Sequence, residues 1–130
     1  MPRLLISTAL FISYFIGHAQ VNVEKTQPDS SNYENIYVKK IAEDHLQSTY
    51  AIWVKDKVKP HYHAHHTEVV FVVSGRGIMR LGDEVFKIIK GSTIRIPSNT
   101  VHAVVTTSRK PLKVISVQAP KFDGDRVWVN

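Results

Sequence analysis

The sequence predicts an all-β fold, an antiparallel sandwich or barrel of the double-layered jelly-roll kind. Three observations carry this reading. Short β-branched and aromatic runs recur at even spacing, turn-forming residues separate them, and nothing has the length and period of a long helix. Some runs, such as Val69 to Val73, are apolar at every position, which a sheet with one wet face does not require but two packed layers do.

Two segments precede the first strand. Arg3 gives a short positive start, Leu4 to Ile16 is an apolar run diluted by hydroxyls and Tyr14, and Gly17-His18-Ala19 supplies small residues at the positions a signal peptidase reads. Residues 1–19 are therefore expected to be a signal peptide, cleaved before Gln20, which places the mature protein in the periplasm or outside the cell. The run falls short of the ~20 apolar residues that cross a bilayer, and no cysteine follows it for lipid attachment, so no membrane anchor is expected after cleavage. Residues 20–35 are polar, with Pro28-Asp29-Ser30-Ser31-Asn32 in a row, and read as a flexible N-terminal arm.

The barrel domain is expected over residues 36–130. Its strands should be Ile36 to Ile41, Thr49 to Val54, Glu68 to Val73, Ile78 to Leu81, Val85 to Ile89, Thr93 to Ile96, Val101 to Thr106 and Leu112 to Val117. Residues 41–47 have room for a single turn. Gly75-Arg76-Gly77 joins two strands, Gly82-Asp83 tips a tight hairpin, Lys90-Gly91 makes a corner, and Arg109-Lys110-Pro111 leads into the last strand.

Composition sets limits on function. With 130 residues, 43% of them hydrophobic and 22% charged, the chain supports one ordinary domain and one principal site. The net charge of +6 is scattered over strands and turns, so no nucleic-acid partner is expected. Lys55, Lys57 and Lys59 alternate along an extended segment and read as a solvated strand edge. Cysteine is absent, which excludes disulfides, thiolate zinc sites and iron-sulfur clusters and leaves only nitrogen and oxygen ligands for a metal.

Such ligands are concentrated in one place. Four of seven histidines lie in His61-Tyr62-His63-Ala64-His65-His66, with Glu68 just beyond and His102 in a separate strand entered through a proline turn. Alternate strand positions share a face, so His61 and His63 can aim two imidazoles at one point, and Glu68 can return on a neighbouring strand. Parity alone would allow His63 and His65 instead. That register leaves only His66-Thr67 before Glu68, without a turn former, and is the poorer fit. Three imidazoles and one carboxylate suit one divalent transition metal (Mn, Fe, Zn, Ni or Cu) and leave coordination positions open, the layout of a working site.

These residues resemble the two motifs of the cupin superfamily, in particular its small single-domain members. The first motif reads His61-x-His63, four residues, Glu68, six residues, Gly75; the second reads Gly91, five residues, Pro97-x-Asn99, two residues, His102, three residues, Thr106. The resemblance covers residues 48–120, and Phe122-Asp123-Gly124-Asp125-Arg126 is similar to the tail of small cupins. It departs from the usual pattern where Lys55, Asn99 and Thr106 replace a glycine, a glycine and an asparagine. Asn99 is the substitute that best tolerates a left-handed turn.

The resemblance implies a cupin-type double-stranded β-helix, with His61, His63, Glu68 and His102 as metal ligands and a small molecule in the barrel mouth. It also implies a possible homodimer. The family's activities are too varied to select a reaction: a metal-dependent dioxygenase or isomerase competes with a non-catalytic sugar- or metal-binding module. No catalytic acid or base is assigned. His65 and His66 are expected at the rim, outside the ligand set, Arg80 and Arg95 on the outer face, and His18 and His45 in no site.

Overall fold

A computed structural model describes residues 20–130 of the chain. The signal-peptide reading of residues 1–19 lies outside the described residues. Among the described residues ten strands follow one another: β1 (Ile36–Glu43), β2 (Ser48–Val54), β3 (Lys57–His63), β4 (Thr67–Ser74), β5 (Gly77–Leu81), β6 (Glu84–Ile88), β7 (Thr93–Ile96), β8 (His102–Thr106), β9 (Leu112–Ala119) and β10 (Arg126–Trp128). They form two five-stranded antiparallel sheets, ordered β1-β2-β9-β4-β7 and β10-β3-β8-β5-β6. This is the expected all-β double layer.

The eight expected runs are all strands, with ends shifted by a few residues at most. Residues 41–47 differ: β1 continues to Glu43, and Asp44 then closes a hairpin by accepting the backbone N–H groups of Leu46 and Gln47. Two further strands, β3 and β10, have polar or short sequences that apolar patterning passes over. Lys57 and Lys59 share β3 with His61 and His63, and Pro60 falls where the β3–β8 register shifts, a place where a missing N–H costs no ladder bond.

β9 explains where the site lies. Its inward residues run Leu112, Val114, Ser116, Gln118, from apolar to polar along one strand, and all four are buried. β4 repeats the gradient from Glu68 to Val70 and Val72, and β8 from His102 to Val104. Val54, Val70, Val72, Met79, Ile88, Ile94, Leu112 and Val114 form an apolar core with Ile96, which pairs directly with Glu68, and His61, His63, Glu68 and His102 are buried beside it. The outer row of β4 is not covered as its uniform apolarity suggested: Val69 and Phe71 are 37% and 44% exposed.

Residues 20–35 lie against the outside of the first sheet. Buried Lys113, on the outer side of β9, donates from Nζ to the carbonyls of Val23, Glu24 and Thr26, and Lys39 pairs with Asp29. Burial pushes the Lys113 amine below its usual pKa.

Candidate metal centre

The ligand candidates arrive from both layers. His61 and His63 lie on β3, and His102 is the cross-strand partner of His61 at the start of β8. Glu68 lies on β4, in the opposite sheet, so it reaches the histidines across the sandwich rather than from an adjacent strand. The chain crosses between layers within Ala64 to His66, which is why four residues were needed between His63 and Glu68.

The turn before β8 fixes His102. Asn99 has φ 59°, the left-handed conformation its position demanded, and its N–H donates to the His63 carbonyl at 2.7 Å. One hydrogen bond thus ties the turn that delivers His102 to the strand that carries His63.

Imidazole orientation is also set locally. His61 donates its Nδ1–H to the Lys59 carbonyl at 2.8 Å and His102 donates its Nδ1–H to the Thr100 carbonyl at 2.9 Å, each two residues back. Both rings are thereby held in the tautomer that leaves Nε2 with a free lone pair, the arrangement that metal-binding histidines need. One ligand atom from each of His61, His63 and His102 lies within 4.8 Å of the others. Glu68 Oε2 sits 3.2 Å from His63 Nε2 and 3.5 Å from His102 Nε2, and Ser116 donates its hydroxyl to Oε1 at 2.5 Å.

The electrostatics follow from this crowding. Burial, then the neighbouring His102, lowers the His61 pKa to about 4, so its ring is neutral at ordinary pH. Burial works to raise the Glu68 pKa, but the adjacent His102 and His63 rings and the Ser116 hydroxyl outweigh it and hold the carboxyl below its usual range. A neutral imidazole lone pair beside an ionised carboxylate, all dry, is a donor set that fits a divalent transition metal.

His66 departs from expectation. Instead of sitting at the rim it is buried, because Asp125 draws it inward: Oδ1 accepts His66 Nδ1–H at 2.8 Å, and Oδ2 accepts the N–H groups of His65 and His66 at 2.8 and 3.1 Å. Its ring stacks on His63 at 4.1 Å between centroids, with 29° between planes. His63, His66 and Asp125 also cluster closely enough to hold an ion, but Asp125 is already engaged by three donors. His65 is exposed, and so are Arg80 and Arg95, as expected.

The four donors line a cavity of about 110 Å³ whose other walls are mainly apolar, from core residues such as Val70, Met79 and Leu112 to Ile36 and Val38, with Arg126 and Trp128 also on its wall. Ser116, Asp125, Arg126 and Trp128 were not singled out from sequence. Only the Asp123-Gly124-Asp125-Arg126 tail gave a signal, and it did not say that β10 pairs with β3.

Residues 49–118 match the Cupin domain family. An uncharacterized Aquifex aeolicus protein is 30% identical over 101 residues, covering 78% of this chain and 83% of its own length. An uncharacterized Methanocaldococcus jannaschii protein is 35% identical over 65 residues, 48% of this chain, which spans about half (52%) of that relative. Among solved structures, a Klebsiella pneumoniae protein with a double-stranded β-helix domain superimposes with TM-score 0.72 at 16% identity, over 86% of this chain and 97% of its own. KdgF from Halomonas sp. gives 0.66 at 22%, over 72% and 86%, and the nucleoside dehydratase Pac13 from Streptomyces gives 0.67 at 19%, over 85% and 90%. At these identities the structural likeness concerns the fold.

Proposed function

We propose, for a chain that belongs to the cupin family, an exported protein that binds one divalent transition metal through His61, His63, Glu68 and His102 and presents it to a small molecule in the barrel mouth. The observation that carries this reading is the convergence of three imidazoles, two of them oriented by backbone carbonyls, and an ionised carboxylate on the wall of a largely apolar cavity. When bound, the metal would supply a Lewis-acidic centre. The protein's part is to orient His61 and His102 through the Lys59 and Thr100 carbonyls, to anchor Glu68 through Ser116, and to keep water out with apolar walls. The Arg3 start and apolar run of residues 1–19 support export.

Metal removal tests the reading. A ligand that binds only the folded state stabilises it by RT ln(1 + [L]/Kd), so stripping the metal with a chelator should lower Tm and restoring it should raise Tm again. The imidazoles bind as neutral groups, so protons compete with metal and the stabilisation should shrink as pH falls. With its pKa lowered to about 4, His61 yields to protons later than a free imidazole of pKa ~6.5 would. An unchanged Tm after verified metal removal would count against the reading.

A further inference from the structure

The cavity has one charged residue on its wall besides the proposed ligand set, and that residue identifies a class of ligand. β10 pairs with β3 in the register Arg126↔His63 and Trp128↔His61. Directly opposed residues of an antiparallel pair project to the same face, so Arg126 and Trp128 stand beside the two histidines on the inward side of the sheet. Both line the cavity. The Arg126 guanidinium carbon lies 5.8 Å from the Phe122 ring centroid and 5.5 Å from that of Trp128, so two aromatic rings flank the cation. Among the described residues no carboxylate pairs with Arg126, although Asp123 and Asp125 are its near neighbours in sequence: Asp125 turns to His65 and His66, and Asp123 lies by His65. An arginine exposed to solvent, lining the cavity and left unpaired beside an apolar wall is placed to receive an anion.

We propose that the small molecule bound at the metal is a hydroxy- or ketocarboxylate, whose carboxylate is taken by Arg126 and whose neighbouring oxygen faces the metal. This rests on the metal reading above. A single planar fork of N–H donors matches the two oxygens of a carboxylate, and the ligand's charge is countered by one cation. With the metal bound, its charge adds to that of Arg126 and charge alone does not separate a carboxylate from a phosphate; the otherwise apolar lining favours a ligand with a carbon skeleton over a strongly hydrated phosphate. Trp128, on the cavity wall, presents apolar surface to the carbon skeleton, and with Phe122 it flanks the guanidinium.

The test uses the full mature chain loaded with metal, with metal content measured on every sample by elemental analysis. Calorimetric titrations compare L-lactate with lactamide, tartrate with threitol, and inorganic phosphate as the other anion. Charge-assisted hydrogen bonds discriminate by about tenfold or more, so the carboxylates should bind at least that much tighter than their neutral counterparts and tighter than phosphate. Arg126→Gln should abolish most of that preference while leaving metal content and Tm unchanged, and Arg126→Lys, which keeps the charge but not the fork, should recover only part of it. Equal binding of neutral and carboxylate probes, tightest binding of phosphate, or an Arg126→Gln protein that still prefers carboxylates would overturn the proposal while the metal reading stands. A wild-type protein that takes up no metal would overturn both.

Discussion

His65 and His66 are adjacent, yet the structure gives them opposite fates. His65 is exposed and within 3.5 Å of Asp123, whereas His66 is buried, hydrogen-bonded to Asp125 and stacked on His63. Replacing them should separate these roles. His65→Ala should stay within about 0.5 kcal/mol of wild type. His66→Ala leaves a buried carboxylate short of a donor, at a cost of about 1–3 kcal/mol, and removes the ring that braces His63, so metal affinity should fall by about 10–100-fold. Denaturant melts and metal titrations check both; equal behaviour of the two variants would refute the bracing role. Spacing and the resemblance to the cupin motifs brought His61, His63, Glu68 and His102 forward, and the fold gathers those four around one cavity. Neither could find the support behind them, because Asp125 is about 60 residues from His66 in the chain and nothing local in either segment announces the pairing.

At the level of elements, the legible parts were those whose burial follows an apolar pattern. β3 escaped it because its outward residues are lysines, its middle is Pro60 and its inward end is histidine. β10 escaped it because three exposed residues carry no pattern. Turn chemistry was more dependable. Gly75 (φ 83°) and Gly82 (φ 58°) both hold left-handed turns, but a Cβ at Gly75 would meet Leu112 Cα and the Pro111 oxygen at 2.8 Å, while nothing lies within 4 Å at Gly82. Gly82→Ala should therefore cost only the left-handed penalty, about 1–2 kcal/mol. Gly75→Ala should lose about 1–3 kcal/mol more, because β9 backbone must move to admit the methyl. Similar losses in thermal or denaturant melts would mean that the Gly75 turn is not packed against β9.

The interior divides by polarity: an apolar core and a dry polar cluster share it, and both line the cavity. The double layer was readable from run length and spacing, though one reason for expecting it failed, since Val69 and Phe71 face outward with over a third of their surface exposed. What makes the polar cluster coherent is that β3, β4, β8 and β9 each contribute to it from different parts of the chain. A site assembled in this way should act as a unit. The most direct measurement is the metal content of purified protein, wild type beside single alanine variants at His61, His63, Glu68 and His102, after dialysis against buffer freed of loose metal. One transition-metal ion per chain in wild type, falling severely in each variant with the fold retained, is the expected result; no metal in wild type, or undiminished metal in the variants, would contradict the account.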